Sequence, residues 1–135
     1  MTGANQEDNA RAELRRAEQA LVEAEALVGL KMGNGAASRA YCAAFHTAAA
    51  VLIRLGQQAR THRGLHSLFE THVVVPGLLA REHLQRLARL EERRGVADYR
   101  VDLEIPLDQA RGLVDDARAL LSAGRALLDT WPAGR

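Results

Sequence analysis

The chain has 135 residues, of which 47% are hydrophobic and 26% charged, and its formal net charge is +1. That apolar content excludes wholesale disorder, the length suits one domain with one core, and the charge is too small to argue for nucleic-acid binding by itself. The single cysteine, Cys42, excludes an internal disulfide and a zinc cage of several thiolates within one chain.

The first predicted helix runs from about Asp8 or Asn9 to Met32, with Leu14, Ala17, Leu21, Ala24 and Val28 stepping by three and four as a seam for a neighbour. Glu13, Arg16 and Glu23 fall on its opposite face. Gly33-Asn34-Gly35 ends it, with Asn34 able to cap the second helix. That second helix runs to about Leu55 and buries Ala37, Tyr41, Ala44, Ala48, Val51 and Leu55; its many alanines allow close approach of another helix. Thr61 caps a short third helix from about His62 to His72, with Leu65, Leu68 and Phe69 turned inward. A fourth helix covers about Leu78 to Arg94, its apolar side made by Leu84, Leu87, Ala88 and Leu90. Pro106 suits the first turn of a fifth, with Ala110, Leu113, Ala117, Leu120, Gly124 and Leu127 as its seam and Trp131-Pro132 as its end. The expected fold is all-α: an up-and-down four-helix bundle with one additional short helix over residues 8–130, with residues 1–7 and 131–135 as frayed termini. There is no apolar run of about 18 residues and no leader pattern, so no membrane association is expected and the protein reads as cytoplasmic.

Charge is unevenly spread. Residues 1–25 hold six acids and three bases, whereas residues 26–69 hold no Asp or Glu but five bases, with His46, His62 and His66 in the same window. A phosphate-bearing partner suits this middle segment better than either end, unless acids from elsewhere neutralise it in the fold.

The most informative stretch is Ser38-Arg39-Ala40-Tyr41-Cys42-Ala43-Ala44-Phe45-His46. Arg39 and His46 are seven positions apart, about two turns, and share a helix face with Cys42. A second polar cluster, Arg93-Arg94-Gly95-Val96-Ala97-Asp98-Tyr99, lies about fifty residues later. The step from Leu87 through Leu90 puts Arg94 on the core side of its helix, where a guanidinium must snorkel, pair or bind. Arg94 and Asp98 either pair one turn apart or form a polar cleft with Arg39 and His46, with Arg39 and Arg94 both able to reach Asp98. His62 and His66 have a spacing that can bind zinc, but no completing set is evident, so no metal is expected; His62 serves better as a hydrogen bonder near the capping turn. No phosphate loop or Ser-His-Asp elbow is visible, and no cofactor or reading of DNA sequence is expected.

These blocks, together with Thr61-His62-Arg63-Gly64-Leu65 and Gly77-Leu78-Leu79, resemble those of small stand-alone HEPN-domain proteins over about residues 8–130. The resemblance implies a helical bundle, often a homodimer, frequently paired with a minimal nucleotidyltransferase as partner in a toxin–antitoxin or defence system. It also implies metal-independent RNA cleavage by an Arg and a His with four to six residues between them. In this sequence Asp98 and Tyr99 stand where that histidine is expected, whereas Arg39 and His46 meet the spacing on an earlier helix. The expected activity is therefore RNA or nucleotide binding in a cleft between the second and fourth helices. His46, Arg39 and Arg94 are the candidate catalytic groups, and Arg39, Arg94, Asp98, Tyr99 and His62 the candidate substrate or phosphate contacts. Related tyrosines can be modified by the partner nucleotidyltransferase, which is why Tyr99 is noted. The alternative is a non-catalytic dimeric interaction module using the same surface.

Overall fold

The computed structural model describes residues 3–100 and 102–131. It contains α1 (Gly3–Gly29), α2 (Gly33–Arg54), α3 (His62–Phe69), α4 (Arg81–Tyr99) and α5 (Leu107–Asp129); α3 runs directly into a π-helical turn, Glu70–Val74. Among the described residues there is no strand.

Side-chain pairings fix the directions of the helices. Glu23 meets Arg39 and Glu13 meets His46, so α1 and α2 are antiparallel. Arg11 near the start of α1 pairs with Asp129 at the end of α5, and Arg118 reaches back to Glu25, so α5 also opposes α1. Asp98 at the end of α4 meets Ser38 at the start of α2. The result is an up-and-down four-helix bundle in which α2 is the shared element, packed on α1, α4 and α5, and α3 with its π-turn is lodged against α2 and α4. The all-α architecture is as expected.

Small residues make this arrangement possible. Ala36, Ala37, Ala40, Ala43, Ala44, Ala48 and Ala50 of α2 are fully buried. Among the described residues Thr47 is the one buried polar side chain; its hydroxyl donates back to the Ala43 carbonyl oxygen at 2.8 Å, which satisfies it inside the helix. Its methyl faces Gly124 of α5, where an added Cβ would stand 2.5 Å from Thr47 Cγ2. Such backbone proximity requires glycine at that point.

Several boundaries differ from the sequence expectation. The helix α1 begins at Gly3, not near Asp8, so residues 3–7 are helical where fraying was expected. It stops at Gly29, and the left-handed residue that turns the chain is Lys31 (φ 61°), not a glycine of Gly33-Asn34-Gly35. Met32 N–H donating to the Leu27 carbonyl oxygen and Lys31 N–H to that of Val28 close the helix end. Gly33, Asn34 and Gly35 therefore belong to α2. Asn34 is a strap, not a cap: its Oδ1 accepts from Ile105 N–H at 2.7 Å and its Nδ2 donates to the Leu103 carbonyl oxygen, tying down the α4–α5 connection. That connection crosses so near Gly33 that a Cβ there would collide with the Ile105 carbonyl oxygen.

Helix α4 starts at Arg81 and extends through Tyr99, so Asp98 and Tyr99 are helical and Arg94 is not at its end. Ala88, expected in the apolar stripe, is exposed; its methyl costs little in water, while Leu87 and Leu90 carry the burial. Thr61 caps α3 as expected, accepting from Gly64 N–H at 2.8 Å. Trp131 is half-buried, with Arg54 lying 5.3 Å from its ring centroid, whereas Pro132 and the expected frayed residues up to 135 lie outside the described residues, as do residues 1 and 2.

One helix, Gly33–Arg54, is long and apolar enough by composition to cross a membrane, although the sequence reading found no such run. Of that apolar window 61% is buried inside the bundle, which is the behaviour of a core helix, and a membrane protein is not indicated. Replacing Gly124 by Val is expected to force α5 away from Thr47 and to destabilise the fold by about 1–3 kcal/mol. Urea denaturation followed by circular dichroism measures this.

Candidate functional site

The three sides of α2 facing other helices are closed by packing. The strip carrying Cys42, Phe45, Ala49 and Ile53 is only half-buried, and at Phe45, Ala49 and Ile53 it lines a small groove. On one rim of this strip are the residues that pair with α1. Arg39 donates from Nε and Nη2 to Glu23 Oε1 at 2.9 and 2.7 Å, and from Nη1 to Cys42 Sγ at 3.5 Å. His46 Nδ1 lies 2.6 Å from Glu13 Oε2, in a part-buried pair. A carboxylate on Nδ1 fixes the ring's tautomer and leaves Nε2 as the other functional nitrogen.

Tyr41 and its neighbours make the opposite rim. The Tyr41 hydroxyl is 2.7 Å from His62 Nδ1, and the guanidinium carbon of Arg94 sits 5.2 Å from the Tyr41 ring centroid. Arg94 Nη1 donates to Asp98 Oδ2 at 3.3 Å, and Ser38 Oγ donates to Asp98 Oδ1 at 2.9 Å. Arg94 Nε is buried without a hydrogen-bond partner. Tyr99, 73% exposed, lies within reach of the same guanidinium at 6.0 Å. Behind this rim His66 Nε2 lies 2.7 Å from Glu91 Oε2 without meeting hydrogen-bond geometry.

Phe45 joins the two rims. Its ring is 5.5 Å from that of His46, edge-on, and 5.2 Å from that of His62. A continuous run of contacts thus extends from Glu13 through His46, Phe45, His62, Tyr41 and Arg94 to Asp98.

Of the predicted site residues, Arg94, Asp98, Tyr99 and His62 gather on one rim and Arg39 and His46 on the other. The expected direct cluster of Arg39 and His46 with Arg94 and Asp98 does not form. Arg39 does not share Asp98 with Arg94; it turns to Glu23 because its helical face points toward α1. The pairing of Arg94 with Asp98 one turn apart is present. His62 bonds Tyr41 across helices while Thr61 alone caps the turn. Sequence reasoning missed Glu13, Glu23 and Glu91 as partners. The signal was there in the acid-rich first 25 residues set against an acid-free middle, but Glu13 and Glu23 read as a solvent face until α2 was placed beside them.

Burial pushes the Tyr41 phenol well above its ordinary range, with Glu91 adding to the rise and Arg94 opposing it, so Tyr41 is a neutral hydrogen-bonding group. Burial also lowers His66, helped by His62 and opposed by Glu91. Among the described residues no group of three or more His, Cys, Asp or Glu side chains is arranged to hold a metal ion.

An up-and-down helical bundle with an Arg–His face on its second helix and an Arg–Asp–Tyr cluster on its fourth defines a class of small all-α modules. The model of the HEPN domain matches residues 10–127, and the chain belongs to the HEPN-domain family. It is also similar to a UPF0332 protein of Archaeoglobus fulgidus, 29% identical over 105 residues that span 77% of this chain and 82% of that protein. Family membership supports a nucleotide- or RNA-related, nuclease-like module.

Two outcomes are expected from this geometry. Arg94 stacks on Tyr41 and pairs with a part-exposed Asp98, so Arg94→Ala should cost about 1–2 kcal/mol in thermal denaturation, less than the loss of a fully buried pair. His66 holds its proton less tightly in the folded chain than its ordinary value of 6.5. Its stabilising contribution is therefore complete above pH 6.5 and is lost as pH falls toward the lowered folded value, because the unfolded chain takes up the proton first. The melting temperature should decline below pH 6.5, and His66→Gln should flatten part of that slope.

Proposed function

We propose that the protein engages RNA or a nucleotide along the α2 groove. In this reading it is the toxin half, a metal-independent endoribonuclease, of a nucleotidyltransferase-linked toxin–antitoxin or defence pair. The observation that carries this reading is the 2.6 Å contact between His46 Nδ1 and Glu13, on the same helix face as Arg39. A carboxylate-held imidazole is oriented for proton transfer, and its Nε2 takes the proton of a 2′-hydroxyl. The 2′-oxygen then attacks phosphorus, the bond to the 5′-oxygen breaks, and the leaving oxygen collects a proton from an imidazolium or water. Arg39 steadies the charge that develops on the phosphoryl oxygens, while His62, Arg94 and Tyr99 contact the strand on the far rim. A homodimer that sets two such grooves face to face belongs to the same reading.

The test is incubation of the purified chain with single-stranded RNA in the presence of chelator. Wild-type protein should cleave; His46→Ala should lower the rate by about 10²–10⁴-fold, and Arg39→Ala should weaken binding. Equal cleavage by all three proteins removes His46 and Arg39 from the chemistry.

A second reading, a non-catalytic dimeric interaction module, is favoured by one specific observation. Arg39, His46 and Arg94 already pair with Glu23, Glu13 and Asp98, so none presents an uncompensated charge. It predicts that RNA survives intact and that no nucleotide shifts the melting temperature.

A further inference from the structure

Beside the His46–Glu13 pair the groove deepens into a cleft of about 100 Å³. Its walls are apolar: Phe45, Ala49 and Ile53 from the half-buried strip of α2, and Leu65 from α3. Its mouth carries Gln57 and Gln58, in the connection between α2 and α3. Neither side-chain amide has a hydrogen-bond partner among the described residues, although the backbone N–H of Gln57 is held by the Leu52 carbonyl oxygen. The backbone is thus anchored while both amides remain available. Glu13 and Phe45 both line the cleft and both contact His46, so the imidazole lies next to it.

This combination has a chemical meaning. The cleft is on the scale of one six-membered ring with its substituents. Its sides offer an aromatic face and flat aliphatic surface, which suit stacking of an unpaired base. Each primary amide presents a donor and an acceptor together, the pattern that reads the hydrogen-bonding edge of a base. A phosphate attached to such a base would lie toward His46 and Arg39, whereas a purely aliphatic ligand would leave both amides unused.

We propose that the cleft between Phe45, Ala49, Ile53 and Leu65 is a nucleobase subsite, sized for a single pyrimidine whose edge is read by Gln57 and Gln58. The proposal rests on the RNA-binding reading above and gives it a sequence preference: the strand enters with a pyrimidine beside His46.

The test is fluorescence anisotropy of the full chain with labelled oligouridylate, oligocytidylate and oligoadenylate of equal length. Wild-type protein should bind the pyrimidine strands roughly tenfold more tightly than oligoadenylate, because a purine too large for the cleft forfeits about one base's stacking contribution. Ala49→Leu fills the cleft and should abolish that preference while leaving residual binding through Arg39. Gln58→Ala, on an exposed loop position that does not bear on folding, should weaken binding of both pyrimidine strands and so narrow their advantage over oligoadenylate. Equal affinity of wild type for all three strands overturns the subsite and leaves RNA binding standing. A preference that survives both substitutions overturns it too. No binding of any strand by wild type overturns the RNA reading itself and the subsite with it.

Discussion

The close packing of α2 is the constraint on which the rest of the molecule depends. Seven alanines of this helix are fully buried, and Thr47 meets a glycine of α5 where no Cβ fits. Small side chains let α1, α4 and α5 close on one helix, and once those three sides are occupied a half-buried strip through Cys42, Phe45, Ala49 and Ile53, flanked by Ser38, Arg39 and His46, remains for solvent. The groove is what is left of α2 after packing. Its two rims are determined by which neighbour supplies the partner: acids of α1 for Arg39 and His46, and α3 and α4 for Tyr41.

Electrostatics then shapes what that groove can do. The middle of the chain is basic in sequence, but the fold returns acids to it: Glu23, Glu13 and Glu91 come from α1 and α4 to meet Arg39, His46 and His66. The pairs are part-buried, so they orient side chains more than they add stability. An imidazole held by a carboxylate is better placed for proton transfer than a free one, whereas an arginine already paired must exchange its partner to bind phosphate. The site is therefore one of positioned groups and near-balanced charge, not a strongly positive surface.

The opposite rim has a different character. Tyr41 is buried, its hydroxyl tied to His62 and its ring covered by Arg94, while burial keeps the phenol neutral. Through this residue α3 and α4 are both fastened to α2. The π-turn after Phe69 changes the phase of the chain by one residue, so Val74, five residues after Phe69, joins Val73 on the buried side.

The amino-acid sequence by itself determined the all-α class, the seams of α1, α2 and α5 and the Thr61 cap, and it offered the Arg94–Asp98 pair as one of two alternatives. Each of these depends on periodicity or on residues within one turn, which the chain carries locally. It also marked the stretch around Arg39 and His46. Tertiary structure alone decided that these two residues turn to Glu23 and Glu13 and not to Asp98, that Asn34 straps a distant loop, and that Phe45 stands between two imidazoles. Those outcomes depend on the rotation of α2 about its axis against its neighbours. That rotation is set by close contacts such as Thr47 with Gly124, between segments far apart in the chain, which no local spacing encodes.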